Sequence, residues 1–132
     1  MLNRLVIRNY ALIDSLDISF SKNLNIITGE TGAGKSIILG ALSLILGQRT
    51  ESKYFFNQQK KCIIEGYFKI SEFQLTPFFT ENDLDLEEET VLRREISADG
   101  KSRAFINDTP VNLAILKQLG ELLIDIHSQH AT

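Results

Sequence analysis

Residues 24–47 read LNIITGETGAGKSIILGALSLILG, and this stretch decides the fold. The segment from Gly29 to Ser36 satisfies the pattern G-x-x-x-x-G-K-[ST]. Apolar residues on both sides predict a buried strand over 24–28 and a helix over 37–46, so the glycine-rich segment joins a strand to a helix. A glycine-rich turn ahead of a helix N-terminus directs backbone N–H groups at phosphate. The stretch therefore predicts a phosphate-binding loop.

The residue types in this loop suit a nucleoside triphosphate with its magnesium ion. Glycine lets the backbone turn sharply and approach the phosphates closely. Lys35 supplies a flexible charge for the β- and γ-phosphates, and the Ser36 hydroxyl is suited to ligate Mg²⁺. Glu30 is expected to point away, because its carboxylate would repel phosphate. We predict an ATP and Mg²⁺ site, with Ser36 as a metal ligand, that contains Gly29, Glu30, Thr31, Gly32, Ala33, Gly34, Lys35, Ser36 and Ile37.

The helix predicted from Ile37 to Leu46 has no charged residue, and Ser43 is its one polar side chain. A helix that is apolar all round is buried on every side, so we expect a central position in the fold. A membrane span needs about 20 apolar residues. Gly47 ends the run at about half that length, and we predict no membrane partner.

Composition restricts the class of protein. The chain has 132 residues, of which 43% are hydrophobic, and this is enough for one domain with its own core. A net charge of −3 argues against strong non-specific binding of nucleic acid. Cys62 is the only cysteine, which excludes an internal disulfide. The segment 1–10 lacks the features of a signal peptide, so a cytoplasmic protein is predicted.

Alternation of apolar and polar residues predicts most of the strands. The segments Leu2–Tyr10 and Ile13–Phe20 are expected to pair antiparallel, and Cys62–Ile70 is the next strand. The segment 90–107 predicts a hairpin that turns at Asp99–Gly100 through a primed turn. Between these strands, the segment 71–84 contains Pro77 and predicts at most a short helix, and the acidic run 83–89 predicts a solvated loop.

Three polar groups are each compatible with two roles. Arg8, Asn9 and Tyr10 either contact the nucleotide or form a solvated strand end, and Arg49 either faces DNA or is a solvated cation at the end of a helix. A larger set makes the predicted hairpin basic, and either it serves DNA or nucleotide phosphates or it forms the charged outer face of a sheet. This set contains Arg93, Arg94, Lys101 and Arg103.

The C-terminal segment predicts a helix followed by a strand. Thr109 is expected as N-cap and Pro110 as the first helical residue, with Gly120 ending the helix. The apolar run 122–126 predicts a buried parallel strand. Asp125 would then be placed as an Mg²⁺ ligand of a phosphate-loop enzyme, although no glutamate follows it.

Polar residues that follow this predicted strand have further alternatives. Gln129 would lie at the strand end, where an amide is suited to sense Mg²⁺ or orient a water molecule. His127 and His130 form a weak candidate for a zinc pair, because no cysteine or carboxylate cluster accompanies them.

Three segments of the chain resemble the N-terminal part of the RecN family of bacterial DNA repair proteins, which are relatives of the SMC ATPases. They are IRNYALIDSLDISF at 7–20, LNIITGETGAGKSIILGALSLILGQR at 24–49 and SRAFINDTPVNLAILKQLGELLIDIHSQH at 102–130. The resemblance implies an α/β fold of the P-loop NTPase type, as the N-terminal half of an ABC-type head. It implies a mixed sheet, a central phosphate-loop helix and an antiparallel β-subdomain.

The same resemblance implies a domain organisation. Residues 1–50 and 110–132 would form the core lobe, and 51–109 a β-rich subdomain. The chain would end where a long coiled coil begins. The other half of the head would follow that coiled coil and complete the sheet, so this part of the protein is expected to expose an apolar surface and to self-associate.

The resemblance also implies residue roles and an activity. Residues 29–36 match the Walker A loop and Gln129 matches the Q-loop glutamine, so that Lys35 and Gln129 are candidate catalytic residues, with Gln129 also near Mg²⁺. Asp125 would be a structural acid at a strand end. The intact protein would hydrolyse ATP as a homodimer with DNA as its partner, in double-strand break repair and recombination on the nucleoid.

Several parts of an ABC-type ATPase have no counterpart in this sequence, namely the signature motif, the Walker B Asp–Glu pair and the switch histidine. We therefore expect the chain alone to bind nucleotide weakly and to have no turnover. Two other interpretations are a self-contained small P-loop kinase that uses Asp125 for Mg²⁺ and a binding module with a vestigial loop.

Overall fold

The computed structural model describes residues 2–20, 32–49, 55–70 and 72–130. Within these ranges the chain forms six strands and three helices around a single sheet. In chain order they are β1 (Leu2–Tyr10), β2 (Ile13–Ser19), α1 (Gly32–Ile45), β3 (Cys62–Phe68), α2 (Glu72–Glu81), β4 (Thr90–Ile96), β5 (Ser102–Ile106), β6 (Thr109–Val111) and α3 (Leu113–His130).

The sheet has the strand order β2-β1-β3-β4-β5-β6, and every neighbouring pair is antiparallel. The core lies on one face of the sheet, where α1 packs on β3 and β4 and α3 packs on β5. The strands contribute fully buried side chains from alternate positions, as a sheet covered on one face requires. These include Leu5, Ile7, Ile64, Leu92 and Ile106.

The strands predicted over 2–10, 13–20 and 62–70 and the hairpin predicted over 90–107 are confirmed. The β1–β2 pair is antiparallel, β3 begins at Cys62, and β4 and β5 form the hairpin expected over 90–107. The strand predicted over 24–28 lies outside the described residues. The parallel pairing of a mixed sheet is therefore not seen in the part of the chain that the structure describes, where the sheet is antiparallel throughout.

The β4–β5 turn differs from the predicted primed turn. The Gly100 N–H donates to the Ser97 carbonyl at 2.9 Å, so the central residues are Ala98 and Asp99. Gly100 follows them with a φ of 93°, and the Ser97 N–H donates to the Lys101 carbonyl at 2.8 Å. This is a three-residue connection in which glycine takes the left-handed position of a bulge.

The helix predicted to begin at Thr109 and Pro110 is wrong, because these residues form the edge strand β6. The preceding residues Asn107 and Asp108 have φ values of 47° and 68°, and two successive positive φ angles make a two-residue primed turn. Proline is acceptable on an edge strand, where one side has no strand to pair with. The helix starts later, where the Asn112 side chain accepts the Ile115 N–H at 2.8 Å.

The predicted stop at Gly120 and the predicted strand over 122–126 are also wrong. Helix α3 continues through both to His130, and its buried residues Leu116, Leu119 and Leu123 follow helical spacing. Gly120 has a packing role, because a Cβ atom there would lie 2.7 Å from the Leu46 carbonyl oxygen. The backbone of α3 therefore touches the end of α1 directly.

Helix α2 extends the short helix expected around Pro77, which lies inside it. Its buried side chains Leu75, Phe78 and Phe79 join the core. Within the described ranges, none of the helices combines the length and the apolar character that crossing a bilayer requires.

Candidate nucleotide site

The described part of the predicted phosphate loop is its C-terminal half. Gly29, Glu30 and Thr31 lie outside the described residues, and Gly32 is the first residue of α1. The side chains of Lys35 and Ser36 are exposed near the helix N-terminus. The first turn of α1 carries no acidic side chain. A helix N-terminus has a positive partial charge, so this end of α1 presents an ammonium group and a hydroxyl where an anion is favoured.

The opposite end of α1 is closed by backbone hydrogen bonds. Gly47 has a φ of 97°, its N–H donates to the Leu44 carbonyl at 3.3 Å, and the Gln48 N–H donates to the Ser43 carbonyl at 3.1 Å. These two bonds define a Schellman motif, in which glycine is favoured at the left-handed position. The predicted end of the helix at Gly47 is confirmed.

Two close contacts fix α1 on the sheet. A Cβ atom at Gly40 would lie 2.6 Å from the Tyr10 hydroxyl oxygen, so the end of β1 presses on the middle of the helix. Gly66 on β3 similarly leaves room for the Ile45 side chain. Tyr10, a candidate nucleotide contact, is therefore packed against α1.

Asn9 is a structural anchor. It is 4% exposed and has a φ of 58°. Its side-chain amide donates to the carbonyls of Asn57 at 2.9 Å, Lys60 at 2.9 Å and Lys61 at 3.2 Å, and its side-chain oxygen accepts the Asn57 N–H. The Asn9 amide therefore binds protein groups and not a nucleotide. Of the three predicted contacts Arg8, Asn9 and Tyr10, only Arg8 is exposed to solvent.

The basic hairpin divides into an inner and an outer part. Arg94 is 2% exposed, and its Nη1 donates to the carbonyls of Leu44 at 2.7 Å and Gln48 at 2.8 Å, while its Nε donates to the Ser102 hydroxyl at 2.7 Å. Neither predicted role fits Arg94, since it is neither on the outer face nor offered to a nucleic acid. Its cation lies at the negative end of the α1 dipole.

Arg93 is on the outer face, as one of the two alternatives predicted. Its guanidinium lies 4.3 Å from the centroid of the Phe105 ring. Its nitrogens also lie 3.3 Å from Glu95 Oε2 and 3.4 Å from Asp108 Oδ1. Carboxylates therefore offset the charge of Arg93, which makes it less available to DNA or nucleotide phosphates.

Burial changes the acid–base properties around Arg94. Desolvation lowers the pKa of the Arg94 guanidinium from its ordinary value, while the electrostatic interaction with Cys62 acts in the opposite direction. Burial raises the pKa of the Cys62 thiol to about 11, against the opposing effect of Arg94. Cys62 is thus a neutral core residue at physiological pH.

Asp125 is exposed on α3 and does not follow a buried strand. The kinase interpretation placed this acid at a strand end beside the phosphate loop, and the structure removes that basis. Gln129 lies in the last turn of α3 and not at a strand end. The structure describes the backbone of Gln129, His127 and His130 but not their side chains. Among the side chains that are described, no three His, Cys, Asp or Glu residues cluster as metal ligands.

Sequence reasoning missed the contact between Arg94 and α1. The signal was the alternation in β4, because Arg94 has the same parity as Leu92 and Ile96 and must share their buried face. The contact between α1 and α3 at Gly120 was missed as well, since a glycine inside a helical pattern also has the appearance of a stop signal.

Comparison with known proteins identifies both sequence and fold relatives. Residues 4–129 match the family model described as "AAA domain". The DNA repair protein RecN of Vibrio cholerae serotype O1 is 46% identical over 132 residues, which cover 99% of this chain and 24% of that protein. The chain therefore spans about a quarter of the length of this relative.

Solved structures with the same fold are SMC ATPase heads. A chain solved in a study of ATP-driven dimerization and DNA-stimulated activation of SMC ATPases superposes with a TM-score of 0.72 at 20% identity, covering 93% of this chain and 79% of that one. The Smc head domain of Pyrococcus furiosus, crystallised with an extended coiled coil and bound to the C-terminal domain of ScpA, gives a TM-score of 0.68 at 19% identity. This superposition covers 92% of this chain and 32% of that one. The fold is that of an SMC-type ATPase head.

Proposed function

We propose a function on the premise that this chain belongs to the AAA domain family and is similar to RecN proteins over nearly its whole length. The chain is the ATP-binding part of a RecN-like ATPase that acts in DNA double-strand break repair and recombination. The single observation that carries the proposal is the pair of exposed side chains, Lys35 and Ser36, near the N-terminal end of a helix that packs on the sheet through its other end. The helix is not buried on every side as its composition predicted, because Leu39 is exposed.

The residues at this end of α1 fit a magnesium nucleotide. Lys35 would contact the β- and γ-phosphates, and the Ser36 hydroxyl would be a ligand of Mg²⁺. Residues 29–37 would supply the backbone N–H groups around the phosphates. A bound Mg²⁺ neutralises phosphate charge. The first turn of α1 has no carboxylate that would oppose these anions.

Gln129 is the proposed Q-loop residue, with a role in orienting water or contacting Mg²⁺. Gln129 lies in the last turn of α3, and α3 packs against the end of α1 at Gly120. The proposed role of Gln129 therefore depends on how α3 is placed against α1. Lys35 and Gln129 are thus the two proposed catalytic residues of this chain, and both require the rest of the head for turnover.

The proposed partners follow from the length of the relatives and from the surface of the chain. Leu39 on α1 is 46% exposed and Ile124 on α3 is 51% exposed, so apolar side chains of both helices reach the surface. We assign this surface to the C-terminal half of the same head, because this chain spans only about a quarter of the length of its RecN relative. DNA would be engaged by the intact protein as a homodimer on the nucleoid, in the cytoplasm.

Titration of a fluorescent ATP analogue in the presence of Mg²⁺ tests the proposal. The chain is expected to bind it weakly and to show no multiple-turnover hydrolysis. Lys35→Ala should abolish binding, because it removes the cation that contacts the phosphates, while Ser36→Ala should mainly weaken the dependence on Mg²⁺. Arg103→Ala is the matched control, because it removes an exposed cation that lies over the Phe105 ring, and this variant should bind as the wild type does.

Two results would contradict this function. Equal binding by the wild type and Lys35→Ala would exclude the phosphate site. Hydrolysis by the chain alone that depends on Asp125 would favour the self-contained kinase instead.

A further inference from the structure

Arg94 is the one charged side chain among the buried polar residues of the described part of the chain. It lies on β4, and through Nη1 it joins this strand to the C-terminal end of α1 at the carbonyls of Leu44 and Gln48. Its Nε is held by the Ser102 hydroxyl of the neighbouring strand β5. Arg94 therefore connects three elements, and the guanidinium is held through two of its three nitrogens.

The hydrogen bonds of Arg94 differ in kind from the apolar packing of α1 on the sheet. Ile45 packs on Gly66, and this contact depends on shape. Packing of this sort resists separation of the helix from the sheet but allows small slides and rotations, because it is not directional. A charged hydrogen bond to two defined carbonyls is directional and selects one rotation of the helix.

Helix α1 transmits its position from one end to the other. It has 14 residues and is a continuous hydrogen-bonded rod about 20 Å long. Lys35 and Ser36 are at its N-terminal end, and the carbonyls bound by Arg94 are at the other. A rotation or slide allowed at the C-terminal end moves the two site residues with it.

We propose that Arg94 is a positioning residue for the phosphate site: by fixing the C-terminal end of α1 to β4, it sets where Lys35 and Ser36 meet the nucleotide. This inference rests on the proposed nucleotide function of Lys35 and Ser36. Arg94 itself touches no phosphate, since its guanidinium is buried against the far end of the helix.

The test compares nucleotide binding among variants of matched stability. Arg94→Met fills similar space without hydrogen bonds, and it should weaken binding of the fluorescent ATP analogue about tenfold. Arg94→Lys keeps the charge but lacks the planar fork, so it should recover part of the loss. Leu75→Ala, a core truncation in α2, is the control: it lowers stability without touching α1's end carbonyls, and folded protein should bind as the wild type does.

A second measurement does not depend on the nucleotide. Hydrogen exchange of backbone amides over 37–40 should be faster in Arg94→Met than in Leu75→Ala at equal global stability, because the helix is less firmly fixed. This reading reports on the helix even if the chain binds no nucleotide.

The outcomes separate the two hypotheses. Loss of binding in Lys35→Ala with unchanged binding in Arg94→Met, or equal exchange in Arg94→Met and Leu75→Ala, overturns the positioning role and leaves the proposed function intact. Absence of binding in the wild type overturns the proposed function for this chain, and the exchange comparison then decides whether Arg94 fixes α1.

Discussion

Two neighbouring arginines on strand β4 show how the two faces of the sheet differ. Arg94 points to the face covered by helices, where it binds the carbonyls at the end of α1. Arg93 points to the outer face, where it lies over the Phe105 ring beside carboxylates. The same residue type fixes two elements together on one face and packs beside solvent on the other, so burial decides its role more than its charge does.

On the outer face of the sheet, within the described part of the chain, charged side chains cover the Phe105 ring. Val6 and Phe105 are buried on this side. Arg93 and Arg103 both lie over the Phe105 ring, at 4.3 Å and 5.1 Å from its centroid. The guanidinium groups themselves lie over the ring, so these are cation–π contacts that cover its outer side.

The largest expected effect compares truncations on the two faces of β4. Leu92→Ala empties a site that is 0% exposed under the helices, and the free energy of unfolding should fall by about 3 kcal/mol. Val91→Ala, on the outer face of the same strand, should cost about 1 kcal/mol or less. Chemical denaturation of both variants measures the difference. Equal losses would mean that the outer face is covered more fully than its charged side chains indicate.

An intermediate effect is expected at alkaline pH from Cys62 on the covered face. Its pKa is raised to about 11 by burial, so the folded state favours the neutral thiol. The resulting stabilisation is complete below the pKa of an unfolded thiol, about 8.5, and is lost as the pH rises towards 11. Denaturation midpoints between pH 8 and pH 11 should therefore fall more steeply in the wild type than in Cys62→Ala. Parallel slopes would contradict the raised pKa.

The smallest effect is expected from an exposed ion pair on the outer face. Arg4 donates to Asp17 from Nε at 2.9 Å and from Nη2 at 2.7 Å, so it has two short bonds, as Arg94 has to α1. The hydrogen bond from Arg4 lowers the pKa of Asp17, so any stabilisation is present above the ordinary carboxyl pKa and lost as the pH falls through the folded value. Solvent screens this pair, and Asp17→Asn should cause no measurable loss of stability at neutral pH. A large loss would end the contrast with Arg94.

The alternation of apolar residues predicted β1 to β5 because a sheet covered on one face imposes a period of two. The same rule could have predicted the inward direction of Arg94. The end of α1 at Gly47 was predictable from local residue types, since the left-handed cap is a local requirement. The start of the helix was predicted too late, at Ile37, because residues 32–36 of the glycine pattern are already helical.

The C-terminal third was predicted less well because its local signals compete. Thr109–Pro110 is a good helix start in isolation, but the turn at Asn107–Asp108 reverses the chain and the pairing of Phe105 with Pro110 follows. The run over 122–126 is too short for its periodicity to distinguish a buried strand from a buried helix. Packing against α1 settles the conformation, and that contact depends on residues far away in sequence.

Asn9 links the assembly of the N-terminal hairpin to the middle of the chain. The carbonyls that its amide reaches lie 48 to 52 residues later. A β1–β2 hairpin that forms before them has to hold a positive φ at Asn9 while the amide has no protein acceptor, and closing so long a loop costs entropy. The hairpin therefore reaches its full stability only when β3 docks beside it. Strands β1, β2 and β3 are accordingly expected to fold as one cooperative unit, because the acceptors of the Asn9 amide lie just before β3.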